Sequence, residues 1–206
     1  MRLILIRHGE TDDSRARRYC GFRDPPLNSE GLRQAQRLAT EGKDWRIDKV
    51  YSSDRRRARQ TAQLLFAGHS LEETAAWREM NFGLFEGLTH EQLLDRYPAL
   101  YRDWLDRPEE VPPPGGEGLG DLRRRVHEEV SRLLSRHASQ TVAVVTHGGP
   151  MRILLGEALP PDSSLFWHIR PELGAWSVID YVEGARPVVT ALSNISHPGA
   201  SRTVRV

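Results

Sequence analysis

The chain has 206 residues, and its 29 Lys and Arg against 28 Asp and Glu give a formal net charge of +1. This length is typical of one domain, here residues 1–206, and the balanced charge argues against nucleic acid or an acidic membrane surface as a partner. One cysteine excludes an intrachain disulfide, and with neither a signal sequence nor an apolar run of roughly 18 residues we expect a cytoplasmic protein.

The N-terminal half alternates short apolar runs with helical periodicities. Residues 2–6 predict a buried strand, and the Asn-Ser pair at 28–29 can cap a helix. The apolar positions of that helix are Leu32, Ala35, Leu38 and Ala39. Residues 49–52 predict a second strand, and the Ser-Asp pair at 53–54 is expected to cap a second helix. The buried face of that helix is predicted to contain Ala58, Thr61, Ala62 and Leu65.

The C-terminal half continues this alternation. Its first predicted elements are a helical region at 89–106 interrupted by Pro98, a loop at 112–116 and a helix at 118–137. A strand at 141–146 follows, and the next helix begins at 148–150. Two strands at 175–182 and 186–193 and a loose tail from about 195 complete the chain. Such an order indicates a three-layer α/β/α sandwich around a largely parallel sheet. The arginine runs at 55–57 and 123–125 are interpreted as solvated helix faces. The Pro-Gly stretch at 112–116 is interpreted as an active-site loop rather than a domain boundary, and 107–120 is a candidate lid.

Two histidines and two arginines are expected at one edge of this sheet, where the carboxyl ends of the strands meet. Arg7 and His8 follow the first strand, His147 and Gly148 follow the third, and the helix after the second carries Arg57. An arginine fork matches the oxygens of a phosphate dianion, and a neutral imidazole nitrogen is a competent nucleophile. A glycine at a helix start lets N–H groups approach an anion. The set favours phosphoryl transfer.

Each of these residues also has a structural interpretation. A single histidine after a strand is more often a hydrogen-bonding group of the fold, and an isolated arginine usually lies on the surface. Two His-Gly pairs at one sheet edge favour function over that interpretation. A metal site is disfavoured because the histidines lack close ligand spacing and the adjacent arginines repel a cation, so no metal or other cofactor is expected.

Five ordered segments resemble the histidine phosphatase superfamily, which includes the cofactor-dependent phosphoglycerate mutases. They lie at 7–11, 27–35, 52–62, 78–87 and 145–149. The resemblance implies a phosphoglycerate mutase-like fold in which His8 is the phosphorylated nucleophile and Arg7 and Arg57 hold the phosphate. It also implies that His147 stabilises the transferring group. Glu79 would protonate the leaving alkoxide and later activate water, a role implied by the resemblance alone.

The sequence departs from the family pattern at three positions. Ser14 stands where many members have Asn, and it can still hydrogen-bond a phosphate. Cys20 and Gly21 stand where Thr-Gly is common, beside the expected substrate pocket, and the thiol is interpreted as a small hydrophobic group rather than a redox group. Arg55 replaces the usual apolar residue. The candidate phosphate- or substrate-binding residues are Arg7, Arg57, Ser14, Cys20, Gly21 and Gly148.

Four stretches are similar to the α-ribazole phosphatases within the superfamily, at 19–27, 78–83, 116–118 and 166–177. This similarity implies hydrolysis of α-ribazole 5′-phosphate, a step of cobalamin nucleotide-loop assembly. Aromatic side chains can stack on such a nucleoside-like substrate, or belong to the core. The aromatic candidates are Trp167, Trp176 and Phe82. His168 is interpreted as a structural histidine rather than a substrate contact.

Three functions therefore remain open, each with a small phosphomonoester as the partner. The first is an α-ribazole 5′-phosphate phosphatase, and the second is a sugar-phosphate or phosphoserine phosphatase or a phosphoglycerate mutase. The short chain leaves little room for the insert and tail typical of mutases. The third is an inactive module that binds a phosphorylated ligand, against which the intact catalytic set argues. The sequence is compatible with a monomer or a homodimer.

Overall fold

The computed structural model describes residues 1–158 and 169–194. Its strands are β1 (Arg2–Arg7), β2 (Lys49–Ser53), β3 (Leu71–Thr74), β4 (Thr141–Thr146), β5 (Trp176–Asp180) and β6 (Val188–Asn194). Its α-helices are α1 (Asp12–Arg15), α2 (Ser29–Glu41), α3 (Arg56–Leu65), α4 (His90–Arg96), α5 (Pro98–Asp106), α6 (Leu119–Arg136) and α7 (Gly148–Glu157). Short 3₁₀ turns lie at Gly42–Asp44, Ala75–Trp77 and Gly83–Phe85. The tail expected from residue 195 lies outside the described residues.

The strands form one mixed sheet in the order β3-β2-β4-β1-β5-β6. The pairings of β3 with β2, β2 with β4 and β4 with β1 are parallel, whereas β5 and β6 continue the sheet in antiparallel pairings. The predicted α/β sandwich is therefore confirmed, with an antiparallel edge beside the parallel strands. No helix in the described ranges has both the length and the apolar character needed to span a bilayer.

Alternate residues of the central strands enter two separate cores. Leu3 and Leu5 of β1 pack with the aromatic residues of α5 and the apolar faces of α6 and α7. Ile4 and Ile6 point to the opposite face and pack against α2 and α3. Because successive side chains of a strand alternate in direction, a continuous apolar run fills both layers. This is why the central strands read as unbroken hydrophobic sequence.

Three features of this framework differ from the sequence prediction. The sequence does not predict strand β3, because this strand has only one large apolar residue and lies at the sheet edge. Leu32 is exposed, since α2 buries Gly31, Ala35 and Leu38 and Leu32 projects about 100° away from that face. The 53–54 pair does not cap α3: Ser53 ends β2, and Arg55 is the N-cap without a side-chain bond. Asn28 does cap α2, accepting from Gly31 N at 2.9 Å.

Candidate active site

The predicted gathering of histidines and arginine at the carboxyl edge of the sheet is present. His8 follows β1, His147 follows β4 and Arg57 lies in the first turn of α3, which follows β2. The two imidazole rings have centroids 5.0 Å apart in an edge-to-face arrangement. The Arg57 Nε–H lies between them, 3.3 Å from His8 Nε2 and 3.2 Å from His147 Nδ1. Three segments distant in sequence thus meet at one point.

The hydrogen bonds of the imidazoles identify their tautomers. His8 Nδ1 lies 2.7 Å from the carbonyl oxygen of Gly9, which can only accept, so Nδ1 carries the proton and Nε2 carries a lone pair. His147 Nδ1 accepts from Arg57, so its Nε2 carries the proton and donates to Ser53 Oγ at 2.9 Å. The nitrogen of His8 that faces the centre of the site is therefore the one able to act as a nucleophile.

Burial keeps both imidazoles neutral. It holds the pKa of His8 well below its usual value, and the positive charges of Arg57 and Arg7 lower it further. The pKa of His147 is likewise well below its usual value, first through burial and then through Arg57. Burial also lowers the pKa of Arg7 to about 10, with Glu79 opposing the shift, so Arg7 stays cationic at neutral pH. The site combines neutral imidazoles with positive guanidinium groups.

Arg57 is fully buried and is held by a backbone loop. Its Nη1 donates to the carbonyl oxygen of Arg23 at 2.8 Å, and its Nη2 donates to those of Gly21 at 2.9 Å and Cys20 at 3.2 Å. Cys20 and Gly21, which the sequence assigns to substrate binding, therefore contact the site through carbonyl groups that orient Arg57. Burial raises the pKa of the Cys20 thiol to about 12, so the thiol stays un-ionised, as expected of a small hydrophobic group.

The carboxylate of Glu79 lies at the N-terminus of α7, where a helix favours negative charge. It accepts from the N–H of Gly149 at 3.0 Å and from that of Met80 at 2.9 Å. Gly148 lies between this carboxylate and Arg7, because a Cβ built on Gly148 would be 3.6 Å from both Glu79 Oε2 and Arg7 Cζ. Arg7 Nε is buried and has no partner among the described residues. A carboxylate, a guanidinium and a helix N-terminus thus adjoin each other.

Arg125 fixes the segment that carries Glu79, although the sequence places it in a solvated run. It donates to the carbonyl oxygens of Ala76, Arg78 and Glu79 at 2.8, 2.7 and 3.0 Å, and it forms an ion pair with Glu117 at 2.7 Å. Its position on α6 gave no signal of this role, because the three carbonyl groups come from a segment about 45 residues earlier. The solvated-face interpretation is wrong for Arg125, and in the run at 55–57 it is wrong for Arg57, which is buried.

Other residues that the sequence proposes for the site lie away from the histidine pair or make structural contacts. The hydroxyl of Ser14 closes the capping box of α1, accepting from Thr11 N and donating to Thr11 O, both at 2.9 Å. Its contact with phosphate stays a prediction. Trp176 packs against Trp45 in the second core, with ring centroids 5.1 Å apart, so it does not line the site. Trp167 and His168 lie outside the described residues.

A pocket opens beside Glu79 and Gly149, and its walls are mainly apolar. The side chains that line it include Tyr19, Met80, Phe82, Trp104, Leu119, Leu122 and Arg152. Phe82, one of the aromatic residues expected near the substrate, is in this lining. Within the described ranges no three His, Cys, Asp or Glu side chains are grouped so as to hold a metal ion. The expectation of a metal-free reaction stays a prediction.

We expect the stability of the fold to fall as the pH drops below about 6.5, the ordinary pKa of histidine. In the folded state His8 and His147 stay neutral, whereas in the unfolded chain each binds a proton, so acid favours unfolding. Each contributes up to about 1.4 kcal/mol per pH unit to the unfolding free energy. Urea unfolding of the wild type and of His8→Asn at pH 7.5, 6.0 and 5.0 measures this, and the variant should show the shallower loss. Parallel losses would contradict the burial of a neutral His8.

Comparison with known proteins places this geometry in a family. Residues 3–194 match the profile of the histidine phosphatase superfamily, branch 1. Phosphoserine phosphatase 1 of Hydrogenobacter thermophilus is 34% identical over 201 residues, covering 97% of this chain and 95% of that protein. The adenosylcobalamin/alpha-ribazole phosphatase of Salmonella typhimurium is 35% identical over 186 residues, covering 89% and 92%.

Solved structures agree with the sequence relatives. The crystal structure of the alpha-ribazole phosphatase from Shigella flexneri superposes with a TM-score of 0.87 at 31% identity, covering 94% of this chain and 96% of that one. The chain belongs to the histidine phosphatase superfamily, and it is a phosphatase.

Proposed function

We propose that this phosphatase hydrolyses phosphomonoesters by double displacement through a phosphohistidine on His8, with α-ribazole 5′-phosphate as its leading substrate. The observation that carries the mechanism is the pair of bonds on His8. Nδ1 is fixed as a donor by the Gly9 carbonyl, and this leaves the Nε2 lone pair beside Arg57 and His147. A neutral, oriented imidazole among cations is suited to attack a phosphoryl dianion.

In the first step, His8 Nε2 attacks phosphorus and the bond from phosphorus to the ester oxygen breaks. The protonated carboxyl of Glu79 gives its proton to the departing oxygen. Arg7 and Arg57 neutralise the non-bridging oxygens, and His147 stabilises the transferring group. The Nδ1–H bond to Gly9 stabilises the positive charge on the ring. In the second step Glu79 takes a proton from water, the oxygen of which attacks phosphorus and breaks the P–N bond, releasing phosphate.

The pocket beside Glu79 supports an aromatic leaving group. Since Glu79 protonates the leaving oxygen, the rest of the alcohol product lies against the surfaces next to this carboxylate. Those surfaces include Tyr19 and Phe82, which are partly exposed and whose rings pack against the buried Trp104. A nucleoside-like product such as α-ribazole can stack on them, whereas serine offers no ring. A relative at 35% identity carries the α-ribazole phosphatase name.

One observation favours a phosphoserine phosphatase as the second candidate. Arg152 of α7 also lines the pocket, with its Nε donating to the carbonyl oxygen of Ile169 at 3.0 Å. A guanidinium in this position suits the carboxylate of phosphoserine or of 3-phosphoglycerate. The relative from Hydrogenobacter thermophilus bears the phosphoserine phosphatase name at 34% identity.

A mutase would additionally require a bisphosphorylated primer for turnover, which a phosphatase does not. A cytoplasmic location and a homodimer stay untested predictions.

Substrate preference is the direct test. We expect a clear kcat/KM preference for α-ribazole 5′-phosphate over phosphoserine, 3-phosphoglycerate and p-nitrophenyl phosphate, measured as phosphate release without added metal. Phe82→Ala should lower kcat/KM for α-ribazole 5′-phosphate about tenfold, which corresponds to the loss of one stacking contact, and should change that for phosphoserine little.

Leu84→Ala is the matched control, because Leu84 is an exposed apolar residue two positions after Phe82 and is not in the pocket lining. A flat substrate profile, or equal losses for both substrates in Phe82→Ala, would remove α-ribazole 5′-phosphate from the proposal. The phosphohistidine mechanism would be unaffected by that result. Loss of turnover in the presence of a chelator, restored by Mg²⁺, would contradict the metal-free mechanism.

A further inference from the structure

Glu86 takes no part in the proposed chemistry, yet its carboxylate has four backbone partners. Its Oε1 accepts from the N–H of Phe22 at 2.8 Å and from those of Gly21 and Phe82 at 3.1 Å. Its Oε2 accepts from the N–H of Arg23 at 3.2 Å and also approaches that of Gly21 at 3.1 Å. Three consecutive N–H groups of one loop therefore converge on a single carboxylate.

The same loop, residues 20–23, turns its carbonyl groups towards Arg57. The carbonyl oxygens of Cys20, Gly21 and Arg23 accept from the two terminal nitrogens of this guanidinium. The loop thus lies between two charged groups, with its N–H groups on Glu86 and its C=O groups on Arg57. Neither set of bonds can be rearranged without turning the peptide planes that carry the other set.

These bonds determine which edge of Arg57 faces the histidines. A guanidinium is planar, so fixing its Nη1 and Nη2 fixes the direction of the Nε–H as well. That N–H is directed to His8 Nε2 and His147 Nδ1, at 3.3 and 3.2 Å. The orientation of Glu86 is therefore coupled to the nucleophile through one loop and one arginine.

Two further contacts restrict loop 20–23. A Cβ on Gly21 would lie 1.7 Å from the carbonyl oxygen of Met80, so no other residue fits at that position without moving the loop. The ring of Phe22 has the guanidinium carbon of Arg55 at 4.9 Å and that of Arg78 at 5.2 Å from its centroid. These cation–π contacts account for Arg55, which stands where the family usually has an apolar residue.

We infer that Glu86 is a positioning residue for phosphoryl transfer: through loop 20–23 it orients the Arg57 guanidinium against His8 and His147. This inference rests on the proposed mechanism, in which Arg57 acts on the transferring phosphoryl group. A carboxylate suits the position because it only accepts hydrogen bonds. Glutamine would place an amide donor against converging N–H groups and would leave at least one of them without a partner.

The test is a double-mutant cycle with p-nitrophenyl phosphate, which does not depend on the identity of the natural alcohol. We expect Glu86→Gln to lower kcat/KM about 10- to 100-fold in the wild-type background, since small misplacements of a catalytic group have effects of this size. In the Arg57→Ala background the same substitution should change kcat/KM by less than about twofold. In the wild-type background, Glu86→Gln should also weaken inhibition by orthovanadate, by a factor similar to its effect on kcat/KM.

Asp180→Asn is the matched control for the loss of a half-buried carboxylate. Asp180 pairs with Arg2 at 2.8 Å at the opposite end of the sheet, so this variant should keep full activity and report any effect on thermal unfolding. Equal losses from Glu86→Gln in both backgrounds, or wild-type kcat/KM in the single variant, would overturn the inference. Equal losses in both backgrounds would leave the phosphohistidine mechanism intact. Full turnover by His8→Ala would contradict that mechanism instead.

Glu86→Asp is the second variant, for the case in which Glu86→Gln does not fold. It keeps the charge but is one methylene shorter, so it cannot reach all four N–H groups at once. The side-chain Nε–H signal of Arg57 in ¹H–¹⁵N spectra, identified by its absence in Arg57→Lys, should be protected from solvent exchange in the wild type and lose protection in Glu86→Asp. Unchanged protection together with unchanged kcat/KM would overturn the inference.

Discussion

His8→Ala is expected to lower kcat by at least about 10⁴-fold for every phosphomonoester, because it removes the atom that forms the phosphoenzyme. Since the imidazole is neutral and accepts only a long bond from Arg57, its loss should change the unfolding free energy by no more than about 2 kcal/mol. Steady-state turnover, urea unfolding and alkaline-quench trapping measure the three parts of this prediction. Wild type quenched during turnover should contain an acid-labile, alkali-stable phosphoryl group, and the variant should contain none.

His137→Gln provides the control for removing a buried histidine. His137 is as buried as His8 but bonds Tyr51 and Gln140 at the other end of the sheet, so turnover per folded molecule should be retained. Substantial turnover by carefully purified His8→Ala would remove His8 from the nucleophile's role. A phosphoryl group that persisted in that variant would assign the role to another residue.

Gly149→Ala should lower kcat about 100-fold while leaving the fold intact. A Cβ at this position would lie 2.1 Å from Glu79 Oε1, and the end of a flexible side chain moves more easily than the backbone of α7. The carboxyl group is therefore displaced from the helix N-terminus, and both its proton donation and its activation of water are impaired. General acid–base groups contribute factors of this size or larger. Pre-steady-state and steady-state kinetics of phosphate release make the measurement.

The leaving group gives this prediction its specificity. p-Nitrophenolate leaves without protonation, so Gly149→Ala should retain a rapid burst of p-nitrophenol followed by slow turnover. With an alkyl phosphate both steps should be slow. Gly148→Ala is the neighbouring comparison, because its Cβ would be at ordinary contact distance, 3.6 Å, from Glu79 Oε2. A loss in Gly148→Ala as large as that in Gly149→Ala would contradict displacement of Glu79 as the cause.

The sequence predicts best those features that depend on local pattern. Continuous apolar runs identify β1 and β4, because central strands are buried on both faces, and the residues that follow them are His8 and His147. The edge strand β3 has no such run and was missed. The sequence predicts Arg57 at the carboxyl edge of the sheet, where it lies, but it could not show that the side chain is buried and held by backbone carbonyl groups.

Roles that depend on distant partners could not be predicted from pattern. Glu79 reached the list of candidates through family resemblance alone, and only the structure shows its carboxylate on the first turn of α7. Arg125 and Glu86 look like solvent-exposed charges in sequence, yet both bind backbone groups of segments that approach them only after folding. Trp176 lies in a stretch that is similar to the α-ribazole phosphatases, but the alternation of side chains along β5 directs it into the core that contains Ile4 and Ile6.

The burial of Arg57 has a consequence for the end of the catalytic cycle. All of the hydrogen-bond partners described above for this guanidinium are electrically neutral, namely three carbonyl oxygens and two imidazole nitrogens. Its positive charge therefore has no counter-charge in direct contact within the described ranges until a dianion arrives, and a buried uncompensated charge is costly. Inorganic phosphate supplies the same compensation as the substrate. Inorganic phosphate should therefore bind the enzyme tightly, so that accumulated product competes with the substrate and slows turnover.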